Sequence, residues 1–156
     1  MNATNLVHRF AEKGLTIATA ESCTGGLIAS ALTDIPGASR VFTHGFVTYA
    51  NAAKTQMLGV PEALLASYGA VCEAVARAMA EGAKARAGAD YAISTTGIAG
   101  PDGGTAKKPV GTVWFGVAGP SGTQAYYQLF QGDRASIRAQ AVMFALALLE
   151  QQGGRE

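Results

Sequence analysis

The sequence predicts an α/β fold, a three-layer α/β/α sandwich whose mixed, mostly parallel sheet ends in an antiparallel hairpin. Apolar residues make up 49% of the 156 residues and charged residues only 15%, which is typical of a layered fold with little surface per residue. Strand-like and helix-like segments alternate over the first two thirds, which favours parallel strands covered by helices. Two strand-like segments near the end are joined by a short Gly-Pro-Ser-Gly turn, which favours an antiparallel pair. With neither repeat nor linker, residues 1–156 are predicted to form one domain.

Caps and apolar spacing define the N-terminal elements. Either Asn2 or Thr4 can cap a first helix, and Gly14 would end it in a left-handed conformation. An apolar run then predicts a strand over 15–20. The helix that follows is predicted from apolar residues that recur at helical spacing, namely Leu27, Ile28, Ala31, Leu32 and Ile35.

Alternation and helix propensity define the middle of the chain. Alternating residues predict a second strand over 41–49, and Asn51 is predicted to cap a short helix that reaches residue 57. Glu62–Tyr68 is predicted to add one or two helical turns. Glu73–Ala87 is the clearest helix, because it is rich in alanine, the strongest helix former.

The C-terminal part completes the predicted sheet. Its expected elements, in order, are a buried strand over 91–96, a loop over 97–109, strands over 110–118 and 123–130 that form the hairpin, and a helix over 134–151 capped by Asp133. Residues 153–156 are expected to be disordered.

Composition excludes several classes of function. A net charge of +1 with dispersed signs provides no patch for nucleic acid or an anionic membrane, so the expected partners are a small molecule and further copies of the chain. For a homo-oligomer, the alanine-rich helix and the hairpin are the candidate contact surfaces. No apolar run approaches the roughly 20 residues of a membrane span, and the polar N-terminus does not resemble a signal peptide, so we expect a cytoplasmic protein. Cys23 and Cys72 match no zinc spacing, and neither a metal nor a disulfide is expected.

The stretch Glu21-Ser22-Cys23-Thr24-Gly25-Gly26 places two possible nucleophiles where a strand turns into a helix. Unpaired N–H groups and the positive dipole end of that helix would stabilise an anion or a developing oxyanion. The alternative is structural. Ser22 would then be only the N-cap of the helix, Cys23 would pack as a small apolar side chain, and the glycines would let the helix approach the sheet.

A second glycine-rich stretch begins at Gly97, at the end of a buried strand where open α/β sheets bind ligands. Its small residues suit backbone N–H groups wrapped around an anion, although it matches neither common phosphate fingerprint. The alternative is a flexible surface loop, which the length of the loop disfavours. Lys107 and Lys108 follow, and either could face a phosphate or solvent.

Tyr49 and Lys54 are predicted to reach the same end of the sheet as Ser22, since Tyr49 ends a strand and Lys54 lies one turn into the next helix. The helix dipole would disfavour the charged form of Lys54, and a serine needs such a base to become a nucleophile. A solvated lysine is the alternative. His44 could instead serve Cys23 in a Cys-His arrangement.

Four blocks together resemble the C-terminal domain of the CinA family, and they span most of the chain in the family's order. They are AESCTGG from Ala20, GFVTY from Gly45 with Asn51 and Lys54, GIAGP from Gly97, and KPVGTV from Lys108. The chain departs from the family's pattern at Cys72, where serine is usual. Free-standing members of the family resemble a nicotinamide mononucleotide deamidase. The resemblance therefore implies hydrolysis of the carboxamide of that nucleotide to nicotinate mononucleotide and ammonia, without a metal or cofactor.

The resemblance also implies roles for individual residues. Ser22 would attack the amide carbon, Lys54 would act as its base, and Tyr49 would hydrogen-bond one of them. Backbone N–H groups after Ser22, with Thr24 and Gly25, would receive the oxyanion. The candidates for the phosphate are the loop residues Gly100, Gly103, Gly104 and Thr105, or a clamp formed by Arg134 and Arg138. Two other functions stay open at this point, a Cys23/His44 amidase and a nucleotide-binding module without turnover.

Overall fold

The computed structural model describes residues 3–153, and it confirms the predicted α/β sandwich. In chain order its elements are α1 (Ala3–Lys13), β1 (Ile17–Glu21), α2 (Leu27–Thr33), a 3₁₀ turn (Ala38–Arg40), β2 (Phe42–Val47), α3 (Asn51–Leu58), α4 (Glu62–Tyr68), α5 (Glu73–Ala87), β3 (Tyr91–Gly97), β4 (Thr112–Gly119), β5 (Gly122–Leu129) and α6 (Arg134–Gly153).

One mixed sheet has the strand order β2-β1-β3-β4-β5. β1 pairs in parallel with both β2 and β3, whereas β4 is antiparallel to β3 and to β5. Four of these five strands therefore run in the same direction, and only β4 opposes them. The predicted hairpin is confirmed, with Gly119 paired to Gly122 across the turn. The carboxyl ends of β1, β2 and β3 consequently meet at one edge of the sheet.

Alternate residues of the strands pack against two helical layers. Ile17 of β1 and Ile93 of β3 belong to a core shared with α1, α2 and α6. Ala18 of β1 belongs to a second core, which α3 and α5 cover with residues such as Leu58 and Met79. Ser22 follows in the phase of Ala18, so strand alternation directs it toward α3.

The α5 layer lies unusually close to the sheet. A Cβ atom built on Gly116 of β4 would lie 2.3 Å from the carbonyl oxygen of Ala76. Only glycine at this position allows that approach, and the alanines of α5 supply the matching small surface. Val75, Ala76, Met79, Ala80 and Ala83 are buried within the chain, so this face of α5 serves the core rather than a contact between copies.

Several predicted helix ends are wrong. Thr4 lies within α1, and Asn2 lies outside the described residues. Ala50, not Asn51, is the N-cap residue of α3. Gly153 is helical and buried, contrary to the expected disorder from that residue onward, and residues 154–156 lie outside the described range. By contrast, Gly14 is left-handed as predicted (φ 67°), and the carboxylate of Asp133 caps α6 by accepting from the Ser136 amide at 2.8 Å.

Strand bounds differ by one or two residues for local reasons. The amide of Leu15 donates to Phe10 at the end of α1, so β1 starts at Ile17 rather than at residue 15. β2 ends at Val47, which leaves Thr48 and Tyr49 in the connection to α3. Across residues 3–153, no helix combines the length and apolar character required to cross a membrane.

Candidate active site

A pocket of about 290 Å³ lies at the edge where β1, β2 and β3 end. Its lining includes Ser22, Tyr49, Lys54, Gly100 and Arg134. The structure therefore brings together residues from three predicted motifs and one residue of α6, with Ser22 and Arg134 112 positions apart. Ser22 is anchored on β3 by its amide, which donates to the Thr95 carbonyl at 3.0 Å.

Ser22 and Lys54 form the central pair of the pocket. The Lys54 Nζ donates to Ser22 Oγ at 3.1 Å, and the two residues are only 1% and 9% exposed. Burial lowers the pKa of Lys54, because desolvation penalises its charged form. The predicted lowering of this pKa is present, but its largest cause is burial rather than the helix dipole.

Two backbone carbonyls complete the surroundings of Lys54. Its Nζ donates to Thr48 O at 2.9 Å and to Tyr49 O at 3.2 Å. Within residues 3–153, neither of the two ion pairs includes Lys54, since they join Arg9 to Glu150 and Arg77 to Glu73. A buried lysine without a carboxylate partner is the type of lysine that can lose its proton near neutral pH.

Tyr49 contributes to the site differently from the prediction. Its carbonyl contacts Lys54, whereas its hydroxyl accepts a hydrogen bond from Arg134 Nη2 at 2.9 Å. The side chain is 59% exposed at the mouth of the pocket. The phenol thus contacts neither Lys54 nor Ser22, because β2 ends before Tyr49 and the side chain turns outward.

The Cys-His alternative is not assembled. Burial raises the pKa of Cys23 to about 11, which suppresses the thiolate that a cysteine nucleophile needs. His44 is exposed on β2, where its ring stacks on Phe46, and it is not part of the pocket lining. Cys23 lines the pocket beside the serine, but its side chain packs into the core and is only 5% exposed.

The prediction that Ser22 caps α2 is wrong, because α2 begins only at Leu27, after Gly26 in a left-handed conformation (φ 106°). The cap is the buried carboxylate of Glu21. Its oxygens accept from the amides of Gly26 (3.2 Å), Ile28 (2.9 Å) and Ala29 (3.0 Å). These donors of the helix N-terminus are therefore occupied and cannot serve a substrate oxyanion.

The Thr24 side chain is likewise hydrogen-bonded inside the protein. Its hydroxyl donates to Glu21 at 2.6 Å and lies 2.7 Å from the Thr95 hydroxyl, and the residue is fully buried. The Thr24 hydroxyl is therefore not available to a substrate. Free donors remain in the backbone, since within the described chain the amides of Cys23 and Thr24 donate to no backbone or side-chain oxygen.

The two arginines predicted as a clamp have separate surroundings. Arg134 lines the pocket and bridges its walls, donating to Gly100 O at 2.7 Å as well as to Tyr49. Arg138 donates instead to Cys23 O at 3.1 Å and to Thr24 O at 3.3 Å, and it is not part of the pocket lining. The prediction that the two arginines form one clamp is therefore wrong.

The glycine-rich loop contributes only part of what was predicted. Gly100 and Gly103 line the pocket, whereas Gly104 and Thr105 do not. The Thr105 hydroxyl accepts from the Lys108 amide, which closes a turn within the loop. Gly25 also lies outside the lining and is exposed beside the Arg138 guanidinium. Lys107 is exposed, and the Lys108 ammonium donates to Tyr68 O.

Three further polar residues line the pocket without having been predicted to do so, namely Asn51, Thr96 and Asp102. Thr96 is buried, and its hydroxyl donates to Ala70 O at 2.8 Å. Its position at the end of a buried strand, directly before the glycine-rich loop, could have indicated from the sequence that Thr96 lines the site. Asn51 was interpreted as a cap and as part of the GFVTY family block, with no role in the site. Across residues 3–153, no group of three or more His, Cys, Asp or Glu side chains is arranged to hold a metal ion.

Comparison with known proteins identifies the family. The family model described as the CinA C-terminal domain matches residues 2–152. The chain belongs to this family. A nicotinamide-nucleotide amidohydrolase, PncC, of Enterobacter agglomerans is 58% identical over 135 residues, which cover 86% of this chain and 82% of that relative. A CinA-like protein of Anaeromyxobacter dehalogenans is 58% identical over 144 residues, but these cover 92% of this chain and only 35% of the relative.

Solved structures agree with the family assignment. The competence/damage inducible protein CihA from Agrobacterium tumefaciens superposes with a TM-score of 0.94 at 45% identity, over 96% of this chain and 92% of the other. The chain spans about a third of the length of the Anaeromyxobacter CinA-like relatives that it matches, and 82% of the length of PncC.

Proposed function

We propose that the chain is an amidohydrolase that converts nicotinamide mononucleotide to nicotinate mononucleotide and ammonia. The observation that carries the proposal is the 3.1 Å contact between Ser22 Oγ and the buried Lys54 Nζ, which has no carboxylate partner within the described residues. The amidohydrolase name of the PncC relative supports the substrate and the reaction.

Lys54 would act as the base in its neutral form. The two hydrogens of a neutral amine match the two carbonyl acceptors, Thr48 O and Tyr49 O. Its lone pair then faces Ser22 Oγ, and the contact reverses so that the serine hydroxyl donates. This arrangement prepares the hydroxyl for proton transfer.

The reaction would proceed through an acyl-enzyme. Ser22 Oγ attacks the carboxamide carbon as its proton passes to Lys54, and the carbonyl oxygen becomes an oxyanion. When the C–N bond breaks, Lys54 returns the proton to the departing ammonia. Water then attacks the ester with Lys54 again as base, which releases the carboxylate product and restores Ser22. The N–H groups of Cys23 and Thr24 are the candidate oxyanion donors, each with a typical contribution of about 3–4 kcal/mol.

The nucleotide phosphate needs a second anion site. Arg134 is the best candidate, because its guanidinium lies at the pocket beside Gly100 and, among the described residues, binds only neutral acceptors. A guanidinium can bind two phosphate oxygens at once. Gly100 and Gly103 lie on the same wall and would let the loop backbone approach the ligand closely.

The test is to incubate the purified protein with nicotinamide mononucleotide and to measure ammonia and nicotinate mononucleotide. Equal amounts of both products are expected, with Ser22→Ala inactive and Cys23→Ala active. Absence of ammonia from the wild-type protein over hours would rule out the amidohydrolase and leave a nucleotide-binding module.

A further inference from the structure

Arg138 donates long-range hydrogen bonds to the Ser22–Gly26 turn, which carries the proposed nucleophile. From α6 its guanidinium reaches the carbonyl oxygens of Cys23 (Nε, 3.1 Å) and Thr24 (Nη2, 3.3 Å), which lie more than 110 residues earlier in the sequence. On the other side of the same turn, the Glu21 carboxylate accepts from the Thr24 hydroxyl and the Gly26 amide. The Ser22–Gly26 turn is thus held between a buried anion and a cation.

Peptide geometry connects Arg138 to the free N–H groups beside Ser22. In a trans peptide the C=O and the following N–H point in opposite directions, and within the described residues the only cis bond is Gly100–Pro101. Because Arg138 binds Cys23 O, the Thr24 N–H of that peptide points away from the guanidinium. A cation on the carbonyl also polarises the peptide and strengthens its N–H as a donor.

The peptide group between Ser22 and Cys23 is fixed in a similar way. The carbonyl of Ser22 accepts from the Gly25 amide at 3.0 Å, so the Cys23 N–H points away from Gly25. Both N–H groups that follow the serine therefore have set directions, and neither is used by an oxygen of the described chain. Arg138 sets one of them directly.

We propose that Arg138 is a positioning residue that aligns and polarises the Cys23–Thr24 peptide for the oxyanion, and that it is not a ligand of the substrate phosphate. The inference rests on the proposed function for its substrate. Glu21 holds the other side of the turn, but its burial makes substitutions there a risk to folding. Arg138 is only half-buried, so it is the residue to test.

The experiment compares Arg138→Gln and Arg138→Lys with the wild-type protein. Steady-state kinetics with nicotinamide mononucleotide give kcat and KM, and thermal unfolding checks that each variant is folded. Arg77→Gln is the matched control, since Arg77 also donates to a backbone carbonyl, that of Thr123, away from the pocket. A second readout is the rate at which a fluorophosphonate labels Ser22, measured by intact mass with Ser22→Ala as the unlabelled reference.

Arg138→Gln should lower kcat by at least about tenfold while KM changes less than about threefold, because only donors used in the transition state are disturbed. Arg138→Lys should recover part of kcat, and Arg77→Gln should match the wild type. Labelling of Ser22 should slow in parallel, since phosphonylation develops charge on the same oxygen position.

A rise in KM with unchanged kcat would identify Arg138 as a substrate ligand and overturn the inference, as would wild-type rates in both assays. If the wild-type protein is labelled at Ser22 but releases no ammonia, the proposed substrate is wrong, and the labelling rates of the Arg138 variants alone decide the inference. A wild-type protein that neither releases ammonia nor is labelled would overturn it as well, whereas ammonia release without labelling leaves kcat and KM of the Arg138 variants to decide.

Discussion

Replacing Lys54 with methionine should remove the base while leaving the fold in place. Lys54 is 1% exposed, and methionine matches the length of its apolar stem. Loss of a general base typically costs a factor of about 10²–10⁴ in rate, which corresponds to about 3–5.5 kcal/mol in the barrier. We therefore expect kcat to fall by at least about 100-fold.

Stability should change much less than the barrier. The variant leaves the buried Thr48 carbonyl without its Nζ donor, at a cost of about 1–3 kcal/mol. In the opposite direction, the penalty for burying the polar amine away from water disappears, an effect of similar size, about 1–3 kcal/mol. The net change in the free energy of unfolding is expected to stay within about 2 kcal/mol, which still leaves a typical domain folded.

The assay measures initial rates of ammonia release at saturating nucleotide, together with urea unfolding of the same preparations. Lys84→Met on α5 is the control, because Lys84 lies outside the pocket lining and should keep wild-type kcat. Lys54→Met with kcat within tenfold of the wild type would refute the role of Lys54 as base. A rate loss that merely follows the unfolded fraction would refute it too.

The same burial makes both activity and stability depend on pH. Since the pKa of Lys54 is lowered in the folded state, kcat/KM should rise with pH through that lowered pKa and then level off. Between the lowered pKa and the ordinary value near 10.5, the unfolded chain binds more protons than the folded one. The penalty that burial of Lys54 imposes on stability therefore shrinks as pH rises across this window and grows as pH falls. Urea unfolding at several pH values should show this slope in the wild type and not in Lys54→Met.

Three further substitutions test other parts of the argument. Arg134→Ala should raise KM for the nucleotide by about tenfold, the equivalent of about 1.4 kcal/mol, with a smaller effect on kcat; a change in kcat alone would contradict a phosphate contact. Cys23→Ala should keep kcat within about threefold, since its thiol pKa of about 11 leaves almost no thiolate at pH 7, and inactivation by this change would restore the cysteine mechanism. Gly116→Ala should lower the free energy of unfolding by about 1–3 kcal/mol or more, because its Cβ would overlap Ala76 O, and an unchanged urea midpoint would contradict the close approach of α5.

Periodicity and residue type predicted the parts of the fold that depend on local sequence. The sandwich, the hairpin, the α5 helix and the Asp133 cap follow from apolar spacing, turn residues and capping rules. Parallel strands that share an edge also place Ser22 and Lys54 at the same end of the sheet, but the sequence left a solvated lysine open as an alternative. These features depend on neighbours within a few residues or on the general rule that ligands bind at the carboxyl ends of strands.

What the sequence could not show depends on contacts between distant segments. Arg134 and Arg138 lie one turn apart on the same helix, and nothing in their spacing reveals that one lines the pocket while the other binds carbonyls. The cap of α2 was missed for a related reason. Capping rules look for a side chain within about three residues of the helix start. Glu21 lies on the preceding strand, and its carboxylate accepts from the amide of Ile28, seven positions later in the chain.

The position of Glu21 one residue before Ser22 also protects the chemistry of the lysine. Successive residues at the end of a strand point to opposite faces of the sheet, so the carboxylate faces α2 while the serine faces α3. On the other face, the same carboxylate would lie beside Lys54, pair with it and raise its pKa, which would keep the amine protonated. The strand alternation that places the Glu21 carboxylate against the Ser22–Gly26 turn therefore keeps it away from the Lys54 amine. This explains how one short segment can contain a buried carboxylate and still present a serine to a lysine that has no carboxylate partner among residues 3–153.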